Sequence, residues 1–194
     1  YAERALRTFH EAIRGESWFD RTLFIITGDH GINLGEFGSW SMGDPLHRPS
    51  TWVPLVIVGR HPELSGAGTA YQNLSSHVDI APTVLDLLGM APPVAFVGHS
   101  MLPHRRSRES YVIAAYNEDI AIERHGFRSL TAQIGFERRD GDQLFDAVRD
   151  FHEQHDLSGR GGKHGERLRK RRSLGHGIQR LVWHALENDR VHPR

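Results

Sequence analysis

The first ninety residues alternate between a helical pattern of apolar positions and short, uniformly apolar runs. Apolar side chains recur on one helical face between residues 5 and 13, and Gly15 ends that predicted helix. The run over 22–27 is apolar with β-branched and aromatic residues, which predicts a strand buried on both faces of a sheet. A second run of this kind covers 53–59. Helices and buried strands in this order are typical of an α/β layer fold.

The clearest helix is predicted over 79–89. Asp79 is a residue type that caps helix N-termini, Pro82 suits the first turn, and Gly89 suits the end. Its apolar positions share one face, so we expect this helix to have a packing role rather than a chemical one.

After residue 92 the pattern changes to short apolar segments separated by turn residues. Three of these segments, at 111–115, 120–122 and 127–132, predict strands of a small antiparallel sheet. A turn is predicted to begin at residue 144 and to run to residue 157.

The last part of the chain combines a Gly-, Lys- and Arg-rich stretch at 159–173 with a predicted terminal helix over 174–186. The basic stretch has no interleaved aromatic residues, which favours a solvated linker over a contact with nucleic acid or lipid. The patterns together divide the chain into an α/β part at 1–105, a small antiparallel part at 106–158, and a basic linker with a helix at 159–194.

Composition and charge narrow the classes of function. Lys and Arg together number 24, as do Asp and Glu, so net charge gives no sign of a nucleic-acid partner. The chain has no cysteine, which excludes disulfides and thiolate metal sites. No apolar run approaches the ~20 residues that cross a bilayer, so no transmembrane segment is expected. Because the chain starts at Tyr1 within a helical pattern, we expect a fragment or a processed product.

Candidate chemistry lies at the end of the first predicted strand. Asp29 and His30 stand side by side between Gly28 and Gly31, where open α/β sheets place their ligands. A carboxylate beside an imidazole supplies part of a site for a divalent cation. The alternative is that Asp29 caps a turn and His30 is a surface histidine. The long predicted loop at 28–52 favours a functional site, because structureless loops of this length are uncommon in compact domains.

Six short segments along the chain are informative through their order and spacing. They are Thr27–Gly31, Leu34–Trp40, Val53–Ile57, Val78–Gly89, Gly98–Pro103 and Gln143–Leu157. In this order and at this spacing they resemble the sulfatases and their relatives in the alkaline phosphatase superfamily. Those relatives include lipoteichoic acid synthase-like phosphoglycerol transferases and phosphoethanolamine transferases. Each segment alone is a weak signal, and the series is a strong one.

The resemblance implies a fold and a chemistry. The family has a mixed α/β sheet flanked by helices and a smaller C-terminal antiparallel sheet, so the expected class is α/β with a partial alkaline phosphatase-like sheet. Its members cleave sulfate or phosphate esters with a metal-activated nucleophile, and the family's metal ligands carry over to Asp29 and His30. The implied cation is Ca²⁺ for a sulfatase, and Mn²⁺, Mg²⁺ or Zn²⁺ for a phospho-transferase.

Two departures from the family pattern bear on activity. The family's nucleophile and first metal-binding aspartate lie upstream of the motif at Asp29, and no residue of this chain matches either, so no catalytic residue is assigned. The position of a lysine in sulfatases, and of a histidine in phosphoethanolamine transferases, is Met42, which supplies neither a charge nor a hard ligand. His47 in the same loop is the candidate substrate-binding residue.

Three interpretations of function follow. The first is a metal-dependent hydrolase of sulfate esters, present as a C-terminal portion that lacks its nucleophile and is inactive alone. The second is a phosphoglycerol or phosphoethanolamine transferase, or a phosphodiesterase, of the same superfamily, which Thr27 and Gly28 favour. The third is a non-catalytic member that binds a ligand. The first two imply a sulfate- or phosphate-ester substrate, and family members are commonly periplasmic, extracellular or membrane-anchored.

Overall fold

A computed structural model describes residues 1–42, 46–64, 74–94, 96–102, 112–116, 119–124, 127–131 and 143–160, together with 162 and 166. Its helices and strands are α1 (Ala2–Ile13), β1 (Phe24–Thr27), α2 (Arg48–Thr51), β2 (Leu55–Val58), α3 (Ile80–Leu87), β3 (Val112–Tyr116), β4 (Asp119–Arg124), β5 (Phe127–Thr131) and β6 (Gln143–Asp146). The predicted terminal helix over 174–186 and most of the basic stretch lie outside these residues. Along the described part, no helix has the length and hydrophobicity needed to cross a lipid bilayer.

The two predicted N-terminal strands pair as an antiparallel ribbon, in which Thr27 lies opposite Leu55. Helix α1 and the 3-10 turn at Phe19–Arg21 each contact Phe24 of β1 through an aromatic ring. The rings of Phe9 and Phe24 lie 6.4 Å apart edge to face, and those of Phe19 and Phe24 lie 5.6 Å apart. The apolar face of α1 therefore has a packing partner in β1.

The predicted burial of these strands on both faces is wrong for the described part of the chain. Ile26, Val56 and Val58 are all exposed. The physical reason is that successive side chains of a strand point to opposite faces, and in β2 one of the two faces, with Val56 and Val58, is exposed.

The long predicted loop between the two strands has internal structure. It contains a 3-10 turn at Glu36–Gly38 and the short helix α2 at Arg48–Thr51. Within α2, Arg48 and Ser50 are buried although both are polar. Polar residues are buried when other groups satisfy their hydrogen bonds, and the partners of Arg48 come from the distant C-terminal part of the chain.

Helix α3 confirms the clearest predicted helix, and Gly89 follows it at φ +69° as a C-terminal glycine should. The predicted role of Asp79 as the side-chain cap of this helix is wrong. A 3-10 turn at His77–Asp79 precedes α3, and Ser76 and Asp79 form a capping box around that turn. The Asp79 carboxylate accepts hydrogen bonds from the backbone N–H groups of Ser76 and His99, both at 2.8 Å.

The second sheet is antiparallel, with strand order β3–β4–β5–β6. Its first three strands confirm the predicted short strands. The fourth, β6, replaces the predicted start of a turn: it pairs with β5 and buries Leu144 and Phe145. The segment at 143–146 is too short to show the alternation that marks a strand, so only its pairing with β5 reveals it.

Candidate functional site

The loop that follows β1 is held against β2 and α2. The Cα of Gly28 lies beside Val53, whose Cγ1 would be 3.3 Å from an added Cβ. The backbone N–H of Gly31 donates to the carbonyl of Ser50 at 2.9 Å. A Cβ on Gly31 would collide with the carbonyl oxygen of Pro49, so this close approach of two backbones requires glycine.

The structure brings the two predicted metal ligands together. Asp29 Oδ2 lies 3.6 Å from His30 Nε2, and the two side chains are 90% and 47% exposed. His30 Nδ1 lies 2.9 Å from the carbonyl oxygen of Gly31. Because a carbonyl only accepts, Nδ1 carries the hydrogen, and Nε2 of the neutral ring keeps its lone pair.

This donor set fits part of a coordination shell. Two ligands of one cation at about 2.0–2.6 Å from it lie up to about 5 Å apart, so a 3.6 Å separation is suitable. The hydrogen bond on the far side of a ligating imidazole is the usual way in which proteins orient such a ring. Among the residues that the structure describes, no group of three or more His, Cys, Asp or Glu side chains converges on a metal position. A cation held at this place would take two of its ligands from Asp29 and His30.

The protonation of Asp29 suits this role. The backbone N–H of His30 donates to Asp29 Oδ1 at 2.9 Å and lowers the pKa of the Asp29 carboxyl below its usual value. The backbone N–H of Asp29 and the positive charge of a protonated His30 ring lower this pKa further. The side chain is therefore a carboxylate at neutral pH, which is the form that binds a cation.

His47, the predicted substrate-binding residue, lies in a different environment. Its ring is 4% exposed and stacks on Phe37, with centroids 3.6 Å apart and planes 7° apart. Nδ1 of His47 donates to Oε2 of Glu153 at 2.6 Å, across 106 positions of sequence. The structure thus brings His47 to the C-terminal part of the chain.

Glu153 also holds the start of α2. Its Oε2 accepts a hydrogen bond from the backbone N–H of Arg48 at 3.1 Å, and its side chain is 0% exposed. The Arg48 guanidinium in turn donates to the carbonyls of Ala147 at 2.9 Å and Phe151 at 3.2 Å. We call His47, Arg48 and Glu153 the buried latch.

Sequence reasoning did not single out Glu153 or Arg48. The available signal was the position of Glu153 within the segment 143–157, which belongs to the series of motifs. The latch connects that segment to α2, and the carbonyls of Pro49 and Ser50 in α2 contact Gly31. A chain of contacts thus extends from the C-terminal segment to the loop that carries the predicted metal ligands.

Met42, which stands where the family pattern has a cationic residue, is exposed. Its neighbour Trp40 is exposed as well. This part of the loop presents apolar surface to solvent and supplies no charge at that position.

Several known proteins resemble this chain in sequence. Residues 1–90 match the family model for sulfatases. The chain is 33% identical over 119 residues to the extracellular sulfatase SULF-1 homolog of Drosophila melanogaster, which covers 61% of this chain and 10% of that protein. It is 28% identical over 154 residues to the N-acetylglucosamine-6-O-sulfatase of Bacteroides thetaiotaomicron, which covers 73% of this chain and 27% of that protein.

The fold has a solved counterpart. A putative sulfatase from Bacteroides thetaiotaomicron superposes with a TM-score of 0.71 at 17% sequence identity, covering 99% of this chain and 42% of that protein. The expected α/β, alkaline phosphatase-like class is therefore confirmed as a partial fold. The chain spans less than half the length of each protein compared here. Residues 1–90 thus match the sulfatase family model, and the fold resembles that of a solved sulfatase.

Proposed function

We propose that this chain supplies metal ligands to a hydrolase of sulfate esters. One observation carries the proposal: Asp29 Oδ2 and His30 Nε2 lie 3.6 Å apart and exposed at the end of β1, with the second ring nitrogen of His30 bonded to a carbonyl. Sulfatases generally use a divalent metal. The identity of the metal that this chain binds is part of what we propose. When bound, such a cation neutralises charge on the oxygens of the ester and on an attacking nucleophile.

The likeness to sulfatases, rather than the donor pair, points to Ca²⁺, because the imidazole nitrogen of His30 suits a transition metal such as Zn²⁺ better. The Asp29 carboxylate is a hard oxygen ligand, and the side chain is open enough to leave room for the further oxygen ligands that Ca²⁺ takes. Mn²⁺, Mg²⁺ and Zn²⁺ accept the same pair of donors. We assign no nucleophile among the residues of this chain, so its own side chains act here by binding and orienting.

The substrate class is inferred from relatives. The matched Bacteroides protein is named as an N-acetylglucosamine-6-O-sulfatase, and the matched Drosophila protein as an extracellular sulfatase. We propose that the substrate here is likewise a sulfate ester carried by a sugar, and that the protein works outside the cytoplasm. The names of these two relatives favour this interpretation over a phospho-transferase.

The role of His47 in substrate binding remains a proposal. Glu153 bonds Nδ1 of this ring and Phe37 covers one of its faces, so the Nε2 edge is the part through which it would reach an ester. The same contacts support an indirect contribution, because they hold α2. The loop of residues 28–31, which we call the metal-ligand loop, is docked against that helix.

Metal-dependent stabilisation tests the proposal. Thermal melting of the 194-residue chain is measured with Ca²⁺, Mn²⁺, Mg²⁺ and Zn²⁺ in turn. Since a ligand that binds only the folded state stabilises it by mass action, we expect a gain of about 1.4 kcal/mol at ten times Kd. Asp29→Asn and His30→Ala should each abolish this gain.

Asp20→Asn is the matched control. It also removes an exposed carboxylate, which pairs with Arg60 at 2.9 Å, but it leaves the loop after β1 intact. This variant should keep the full metal-dependent gain. Equal gains in wild type and Asp29→Asn, or no gain with any of the four cations, would overturn the proposal.

A further inference from the structure

A second histidine is bonded to the metal-ligand loop. His77 lies in the 3-10 turn before α3, and its Nε2 is 2.8 Å from the carbonyl oxygen of Gly28, 49 positions earlier. Gly28 directly precedes Asp29 in the chain. The bond therefore joins the start of α3 to the peptide that carries the proposed carboxylate ligand.

The turn that carries His77 is firmly held. The Asp79 carboxylate accepts from the backbone N–H groups of Ser76 and His99, and Asp79 is only 6% exposed. The Asp79 carbonyl accepts from the hydroxyl of Thr83 at 2.6 Å, and that hydroxyl accepts from the N–H of Met101 at 2.9 Å. These bonds fix both ends of the turn.

Close backbone packing adds to this support. A Cβ on Gly98 would collide with the carbonyl oxygen of Val78, so the segment after α3 lies directly against the turn. The ring of His77 consequently projects from a backbone with little freedom to shift. A constrained backbone of this kind suits a residue whose function is to fix the position of another group.

The two histidines at the site donate to carbonyls on either side of Asp29. His77 donates through Nε2 to Gly28, and His30 donates through Nδ1 to Gly31. Because a carbonyl only accepts, the hydrogen of a neutral His77 ring must lie on Nε2. The peptides before and after the Asp29–His30 pair are thus both anchored by an imidazole.

We propose that His77 is a positioning residue for the metal-ligand loop. By holding the Gly28 carbonyl, it sets the direction in which the Asp29 carboxylate leaves the backbone, and so keeps that carboxylate facing His30 Nε2. The effect of His77 on cation binding rests on the proposed function. The tautomer of His77 and the conformation of the loop are independent of any cation.

Nuclear magnetic resonance of the 15N-labelled 194-residue chain tests the first part without metal. We expect the ring nitrogen shifts of His77 to report the Nε2–H tautomer at a pH where the ring is neutral. His77→Ala should move the backbone amide resonances of residues 28–31. His77→Gln should restore most of them, because its side-chain amide donates to the same carbonyl.

His61→Ala is the matched control. His61 is also next to a 3-10 turn, where its Nδ1 accepts from the N–H of Glu63, so its loss should leave the resonances of 28–31 in place. An Nδ1–H tautomer for His77, or unchanged resonances of 28–31 in His77→Ala, would overturn the proposal.

Calorimetric titration with Mn²⁺ measures the consequence for the site. Loss of an outer-shell partner weakens metal binding by about 10–100-fold, so we expect His77→Ala to raise Kd by about tenfold and His77→Gln by less. An unchanged Kd in His77→Ala would overturn the role of His77 toward the cation. Absence of Mn²⁺ binding in the wild type contradicts the proposed metal site for this cation, while the tautomer and the loop resonances still decide whether His77 positions the loop.

Discussion

The metal-ligand loop and the buried latch differ in exposure and in the sequence distance of their contacts. Asp29 and His30 are neighbours in sequence, exposed, and bonded within residues 28–31. In the latch, Glu153 reaches His47 and Arg48 across more than a hundred positions and is fully buried. Because of this difference in burial, we expect Asp29 and His30 to contribute little to stability and the latch to contribute much.

The largest loss of stability is expected from Glu153→Ala. It leaves Nδ1 of His47 and the N–H of Arg48 without their acceptor inside the protein. Removing one member of a buried pair costs about 3–5 kcal/mol. Urea denaturation should show a decrease of this size, and Gln154→Ala at the exposed neighbouring position should change stability by less than about 0.5 kcal/mol. Equal effects of the two variants would contradict the latch.

The next largest loss of stability is expected at Gly31, where the metal-ligand loop contacts α2. Gly31→Ala places a Cβ against the carbonyl oxygen of Pro49, and such overpacking costs about 1–3 kcal/mol. Gly15→Ala is the control, because nothing lies within 4 Å of the Cβ added there. Urea midpoints of the two variants should differ clearly, with Gly31→Ala the less stable. If the urea midpoints of Gly31→Ala and Gly15→Ala are equal, the loop of residues 28–31 does not dock on α2 as described.

Phe37→Ala should have a smaller effect on the latch. It removes the ring that stacks on His47 but leaves the hydrogen bond to Glu153, and an aromatic pair contributes about 0.5–1.5 kcal/mol beyond its buried area. Phe37→Tyr keeps the stacked ring and should stay closer to wild type. Chemical denaturation of the three proteins measures the difference. A loss as large as that of Glu153→Ala would mean that stacking, and not the carboxylate, dominates the latch.

The smallest effect on stability is expected from Asp29→Asn in the absence of metal. The side chain is exposed, so the change in stability at neutral pH should be small. Its pH dependence has a definite sign. Because folding lowers the pKa of Asp29, the carboxylate contributes stability above its unfolded pKa of about 3.9 and loses it as the pH falls through the folded pKa.

Acid titration of stability measures this effect. The wild type should exceed Asp29→Asn by a small margin at neutral pH, and the margin should shrink as the pH falls below about 4. A margin that grows on acidification would contradict the hydrogen bond from the N–H of His30 to Asp29.

Much of the molecule was predictable because its signals are local. The helical spacing of apolar residues gave α1, the stop at Gly89 gave the end of α3, and the Asp29–His30 pair gave the candidate ligands directly. The 3.6 Å approach of those ligands follows from their adjacency and from one hydrogen bond to a neighbouring carbonyl. Short-range geometry of this kind is encoded in a few consecutive residues.

The signals that failed were those that depend on distant partners. Strand β6 is recognised only through its pairing with β5, and the true role of Asp79 is visible only with Ser76 and His99 in place. The burial predicted for β1 and β2 was wrong. A run of apolar residues shows that a strand favours burial, but it does not show whether one face or both faces of the strand are covered.

The sequence by itself determined the resemblance to sulfatases, the α/β class and the identity of the two candidate ligands, because motifs and periodicity are properties of consecutive residues. Only the tertiary structure decided that Glu153 holds His47 and Arg48, and that His77 holds the peptide before Asp29. The reason is physical: a hydrogen bond depends on distance and direction in space, and residues separated by 49 or 106 positions acquire that geometry only when the chain is folded.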